Sequence, residues 1–318
     1  MSIFAVAVVP ILYVTSAAPR MVRSQSDATD LQQRARVGAE KLQRDLAQAG
    51  AGPPHSRSVG ALVNYVPPLV PARTGLRLAD AEMTAFADRV SIFYVPDDGW
   101  EASVSVPVTD VRAAVALDAG SVGCGDAGLC GFVEGSRAMI VDVSGVGAGH
   151  DVFTVTGVTT DLEHGSPNAP FSRDYAAASS QVVPIVQRVY HYDRPTRRLM
   201  VYDGYQSDMP FIDNVVDLRV EYFADVSPGP GLRPLALAEL ADGPMLGVFP
   251  NRFDADLLAI RVVRVILRLQ AAADDLRGTG GLFARPGRSS SGFSFLPDIE
   301  MTFEVAPRNM RLGQSSTP

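Results

Sequence analysis

Three stretches of strict alternation constrain this chain more than anything else in it. In "VVDLRVEYF" (215–223), Val216, Leu218, Val220 and Tyr222 alternate with Asp217, Arg219 and Glu221. In "AIRVVRVILRLQ" (259–270), Val263, Val265, Leu267 and Leu269 take one side and Arg264 and Arg268 the other. "IEMTFEV" (299–305) sets Ile299, Met301, Phe303 and Val305 against Glu300, Thr302 and Glu304. Successive strand side chains point to opposite faces, so each stretch reads as a half-buried strand with one wet face. Such alternation favours antiparallel sheets. Shorter β-branched runs predict further strands at 88–95, 101–108, 138–144, 151–158, 187–193 and 197–203, the last two joined through "RPT" as a hairpin. Residues 159–182, 226–250 and 276–296 are rich in Gly, Pro and Ser and read as long surface loops.

The first fifty residues follow another period. Leu31, Ala35, Ala39, Leu42, Leu46 and Ala49 recur at spacings of 4, 4, 3, 4 and 3, one apolar stripe of a helix running from residue 22 to about 49. The stripe predicts packing against a core that comes close, because half of it is alanine. The other faces carry Gln32, Gln33, Arg34, Arg36, Glu40, Lys41, Arg44 and Asp45. Gly38 inside the run costs about 1 kcal/mol against Ala, and "GAGPP" at 50–54 stops the helix. Ahead of it stands "MSIFAVAVVPILYV", with Ile3, Phe4, Val6, Val8, Val9, Pro10, Ile11 and Leu12. This run is shorter than the roughly 20 residues that span a bilayer as a helix. A secretory signal would place basic residues before the apolar run, whereas the first charge here is Arg20, after it.

A hydrophobic fraction of 47% and a charged fraction of 20% describe a globular chain. The net charge of −7 gives no electrostatic footprint for nucleic acid. Lys41 is the single lysine and by itself implies no function. Cys124 and Cys130, in "GSVGCGDAGLCGF", suit a small disulfide-closed loop and an oxidising compartment. Two reduced thiols on a glycine-rich turn are the competing reading, and a structural zinc lacks its further ligands.

The chemical motifs are sparse. His55, His150, His164 and His191 form no metal-spaced pair, and no G-x-S-x-G elbow occurs. "SGVGAGHD" (144–151) holds G-x-G-x-G but runs into a strand rather than the helix that dinucleotide binding requires, so a hairpin turn explains it. "PDDG" (96–99) and "DAD" (254–256) could offer carboxylates to calcium, but solvated turn residues are the much stronger explanation. Trp100 reads as a packing residue. Tyr190, Tyr192, Tyr202 and Tyr205 read as cross-strand aromatic pairs of the hairpin, with a sugar or adhesion site as the alternative. No catalytic residue, metal, cofactor or small-molecule substrate is expected.

An apolar N-terminal run that flows into an amphipathic helix and then into antiparallel strands resembles type IV minor pilins of the PilW type and the minor pseudopilins of type II secretion. The likeness lies in "DLQQRARVGAEKLQRDLAQAGAG" (30–52), "ADRVSIFYV", "DNVVDLRVEYF", "AIRVVRVILRL" and "FEVAPRNMRL". It implies an α+β, pilin-like fold, with a long N-terminal helix packed on an antiparallel β-sheet. Residues 1–20 would be a truncated membrane and filament-core segment, 21–52 its amphipathic continuation, 53–312 the sheet-rich body and 313–318 a disordered tail. The family's prepilin peptidase site, a basic leader followed by Gly-Phe, apolar residues and a Glu, is missing; the expectation is that the natural start lies upstream. The resemblance further implies a non-enzymatic subunit held in the bacterial inner membrane with a periplasmic domain. It would then enter a pilus or pseudopilus by contact with other pilins. A membrane-anchored periplasmic or surface binding module is the alternative.

Overall fold

The computed structural model describes residues 2–310 apart from 54–58, 98–100, 119–131, 145–148, 166–169, 227–228, 247–252 and 278–295; in the N-terminal helix, side chains are described from Ser24 onward. Helix α1 spans Ser2–Gln48, unbroken through Pro10. The strands in chain order are β1 (Leu69–Val70), β2 (Arg89–Tyr94), β3 (Ala102–Ser103), β4 (Val115–Ala116), β5 (Arg137–Asp142), β6 (His150–Thr154), β7 (Gly157–Val158) and β8 (Asp161–Glu163), then β9 (Ser180–Asp193), β10 (Arg198–Tyr202), β11 (Asp208–Asp213), β12 (Val215–Asp225) and β13 (Leu232–Leu235). A single turn of helix, α2 (Asp256–Ala259), leads into β14 (Ile260–Leu269), and β15 (Ile299–Val305) closes the set.

These strands form three sheets. The first runs β1-β2-β9-β10-β11, with β3, β5 and β6 joined to it; the second runs β13-β12-β14-β15; the third is the small β4-β8-β7. The alternating stretches all lie in the second sheet. There Val220 stands opposite Val265 and Val265 opposite Phe303, so the apolar sides share one face. On the wet face, Arg264 reaches Glu304 at 2.6 Å and Glu221 at 3.3 Å. The two larger sheets meet where β12 lies against β2, β9 and β10.

The expected α+β, pilin-like class is corrected. Among the residues whose side chains are described, strands make up 39% and helices 18%, with one helix of seven or more residues, so the protein is mostly β. One helix spread across one sheet is therefore not the organising unit. The described part of α1 instead borders strands of two sheets, β2 and β11 of the first and β14 and β15 of the second. The core is built largely by strands facing strands: Ile92, Tyr190 and Leu199 of the first sheet and Leu218, Val263 and Leu267 of the second share one buried cluster. A second cluster, with Ala138, Ile140, Phe153, Leu162 and Val182, fills the space between β5, β6, β8 and the start of β9.

Most sequence-predicted strands form within a residue or two of their expected ends. Residues 101–108 shrink to β3 plus isolated bridges at Val104 and Val108. Among the stretches read as loop or left unassigned, the first half of β9, β11 and β13 form strands of four or more residues, and the short β1, β4 and β8 form as well. Pro184 and Pro210 hide the first two, because proline cannot donate to a ladder and marks a stretch as unlikely strand. Each proline nonetheless holds a register position, Pro184 opposite Ala138 and Pro210 opposite Met200.

A core hydroxyl on the second sheet is left unpaired. Tyr222, 1% exposed on β12, has a hydroxyl with no hydrogen-bond partner. A buried orphan hydroxyl costs about 1–3 kcal/mol. Tyr222→Phe is therefore expected to leave stability unchanged or raise it by about 1 kcal/mol, read from the urea midpoint at constant slope.

Candidate functional site

The feature that most sets this chain apart is the junction between α1 and the body. All the stripe residues are buried: Leu31, Ala35, Ala39, Leu42, Leu46 and Ala49, none more than 4% exposed. Gly38 belongs with them. A Cβ built on it would fall onto Ile212 Cδ1 of β11 and within 3.3 Å of Leu267 Cδ2 of β14. The glycine whose propensity cost weakened the sequence reading is what lets the helix settle between the two sheets. At its far end Gly50 takes a positive φ of 77° and its N–H donates to Phe93 O of β2 at 2.9 Å. Glycine closes a helix in this conformation without a Cβ penalty.

The polar fastening of the junction escaped the sequence. Asp45, which the helical period places on the faces away from the stripe, is 1% exposed. Its Oδ2 accepts the Tyr190 hydroxyl of β9 at 2.7 Å, and its Oδ1 accepts Lys41 Nζ one turn back at 2.7 Å. A buried carboxylate is costly unless paired and hydrogen-bonded, and this one has both forms of support. The chain's single lysine is thus spent on its most buried helix carboxylate. The available signal was position: Asp45 adjoins Leu46 and follows Leu42 by three, at the margin of the stripe. Near the other end of the junction, Arg34 Nη1 donates to Asp213 O at 3.0 Å.

The N-terminal residues singled out for packing, Ile3, Phe4, Val6, Val8, Val9, Pro10, Ile11 and Leu12, belong to the same helix, and their side chains lie outside the description. Among the described residues no helix is long and apolar enough to cross a membrane. The expected single-pass inner-membrane anchor is therefore not supported.

Other expectations fare variously. Cys124, Cys130, Trp100 and His55 lie outside the described residues. "SGVGAGHD" connects β5 to β6, which pair antiparallel, so the connection joins neighbouring strands, although its centre is undescribed. The hairpin β9–β10 forms, but the tyrosines do not pair across it: Tyr190 faces Val201, Tyr192 faces Leu199 and Tyr202 faces Val189. Each hydroxyl instead finds its own acceptor, Asp45 for Tyr190, Val215 O for Tyr192 and Tyr205 O for Tyr202. The described histidines are separate. His150 meets the Tyr65 ring edge-on, and His191 Nε2 lies 3.0 Å from Asp208. His164 stacks on Phe171 and contacts Ala113 O at 2.7 Å, and burial holds its pKa below the usual imidazole value.

Among the described residues, the ligand-capable groups that converge are Asp242, Asp254 and Asp256, within 4.8 Å of one another. Asp254 already accepts the backbone N–H of Gly243 at 3.1 Å and of Asp256 at 2.9 Å. Hydrogen bonding to Asp254 raises the Asp242 pKa. Calcium needs six to eight oxygens, and these carboxylates first serve to fix a turn.

Comparison with protein families, with characterised proteins and with solved structures finds no match to this chain.

The junction gives two tests. Gly38→Leu must displace Ile212 and is expected to cost about 1–3 kcal/mol through overpacking, whereas Val37→Ala, at a position 51% exposed, changes stability by less than about 0.5 kcal/mol. Chemical denaturation of both variants provides the comparison.

The second concerns pH. Burial, and then the nearby Asp45, push the Tyr190 pKa well above the ordinary tyrosine value; burial and Asp151 do the same for Tyr175, and burial alone for Tyr222. The unfolded chain releases these protons near pH 10 while the folded chain keeps them. The stability is therefore full below about pH 10 and falls as pH rises beyond it. Urea midpoints at increasing alkaline pH should show this decline. Tyr190→Phe should flatten it, while costing about 1–3 kcal/mol at neutral pH by stranding Asp45 Oδ2.

Proposed function

We propose that this protein is a non-enzymatic subunit of a filament-assembly system of the minor-pilin or pseudopilin kind, and that it meets other subunits through the first half of α1. One observation carries the reading: an apolar segment and a body-locked segment belong to a single helix of 47 residues. At 1.5 Å per residue that helix is about 70 Å long. Its described buried side chains begin at Leu31, whereas the sequence before Arg20 holds no charge. An apolar helix needs apolar surroundings, and a bundle of like helices supplies them. In this reading the subunit waits at the inner membrane, its body in the periplasm, before joining a pilus or pseudopilus. The Gly38 contact and the Asp45 fastening would carry load from that helix into the sheets.

The experiment is genetic. Deleting the gene should abolish or sharply reduce surface filaments, or secretion through a type II system. The wild-type chain should restore the function. A chain carrying Val8→Asp and Ile11→Asp should accumulate folded and fail to restore it, because two carboxylates cannot be buried in a helix bundle without partners. Normal piliation and normal secretion in the deletion strain would overturn the proposal.

A further inference from the structure

Strand β9 changes partners halfway along, and the change leaves a window in the first sheet. On one edge β2 and then β3 follow β9, with Tyr94 opposite Val186 and Ala102 opposite Val182. On the other edge β10 ends with Tyr202 opposite Val189, and β5 begins with Arg137 opposite Ile185. Val186, Gln187 and Arg188 therefore face no strand on that edge. A cleft of about 590 Å³ occupies the gap, closed at its ends by the turn at 133–136 before β5 and the turn at 203–207 after β10. That volume falls within the usual range of small-molecule sites, about 300–1,000 Å³.

The lining is chemically unfinished. Arg137 is half-buried; its Nε is shut away from solvent without a hydrogen-bond partner, and the same is true of Arg188 Nε. Neither guanidinium pairs with a carboxylate among the described residues, where most other buried arginines do, as Arg268 does with Asp298 at 3.2 Å. Burial, without a carboxylate to offset it, lowers the Arg137 pKa. In the same lining Gln187 is 3% exposed. Its Nε2 donates to Thr74 O at 2.7 Å and to Thr74 Oγ1 at 2.8 Å, which leaves Oε1 buried and unpartnered. Buried polar atoms without partners are rare enough in native proteins that each calls for an explanation. Here two of them, the Arg137 donor and the Gln187 acceptor, belong to one side of the cleft, whereas Arg188, the next residue along the strand, turns to the other face and hydrogen-bonds Tyr94. The wall beside them is aromatic: Gly135, at φ 86°, admits the Tyr205 ring so closely that a Cβ there would come within 2.6 Å of Tyr205 Cδ1.

We propose that this cleft binds a small hydroxylated carboxylate, an acidic sugar being the fitting class. A guanidinium matches a carboxylate with paired N–H donors, a hydroxyl supplies the donor that Gln187 Oε1 lacks, and the Tyr205 ring offers an apolar surface to a sugar's C–H face. Glu134 and Asp203 also line the cleft, and their charges disfavour a phosphate dianion more than a monoanion. The site is independent of α1 and would give the subunit a binding activity in addition to assembly.

Titration calorimetry on the full chain tests this with sodium glucuronate, glucose and inorganic phosphate as probes. Glucuronate is expected to bind, glucose to show no heat, and phosphate to bind at least tenfold more weakly than glucuronate. Arg137→Gln should weaken glucuronate at least tenfold while leaving the thermal midpoint unchanged or higher. A guanidinium held for a ligand is not missed by the fold, whereas one held for structure is. No binding of glucuronate by the wild-type chain, phosphate binding as tight as glucuronate, or undiminished binding by Arg137→Gln would each overturn the proposal. Failure of Arg137→Gln to fold would overturn it too, since it would give the arginine a structural role.

Discussion

Everything in this structure depends on one strand having neighbours on both edges. The fourteen residues of β9 pair with β2 and β3 along one side and with β10 and β5 along the other. Parts of the chain distant in sequence are thereby brought into a single sheet. Val183 and Val189 on this strand are fully buried, as is Tyr190 between them and the hairpin. The second sheet leans on the same region through β12, and the helix is fastened to it through the Asp45–Tyr190 hydrogen bond. A central strand with both edges satisfied hydrogen-bonds its backbone fully except where its partners fail to abut, and that interruption is the window beside Gln187.

The helix and the window make opposite use of buried polarity. At the junction the buried carboxylate of Asp45 is partnered on both oxygens, by Lys41 and Tyr190, and Arg34 donates to a backbone carbonyl. Such closure fixes one position of the helix against the body, because sliding by a turn would strand the carboxylate and drive another side chain into Ile212. At the window, a donor of Arg137 and an acceptor of Gln187 remain unpartnered beside a cleft large enough to hold a ligand.

Much of this was legible in the residues and some was not. The alternating strands β12, β14 and β15 and the helical stripe of α1 could be read because each is a local pattern repeated along an element. β11 and the first half of β9 could not, because Pro210 and Pro184 contradict the local pattern and only pairing with neighbours overrides them. The fold class shifted from α+β to mostly β for a related reason: the helix is conspicuous in sequence, while strands of two to six residues such as β1, β3, β4 and β7 carry little signal of their own. The helical period places Asp45 away from the apolar stripe, and a partner 145 positions away draws it inside. The tyrosines were recognised as a group, but their register was out of reach; a shift of one residue in pairing exchanges the two faces.

The sequence by itself determined the periods: where the chain alternates, where it winds, and where glycine and proline interrupt. These follow from steric and solvation preferences that act within a few residues. It also determined that the N-terminal segment is apolar and that no metal-spaced histidines exist. Only the tertiary structure decided that Gly38 is a contact point, that Asp45 is an internal fastener, and that Arg137, Gln187 and Arg188 share a gap between strands. Those properties arise from distances between residues remote in the chain, and burial and unmet hydrogen bonds exist only once those residues have been brought together.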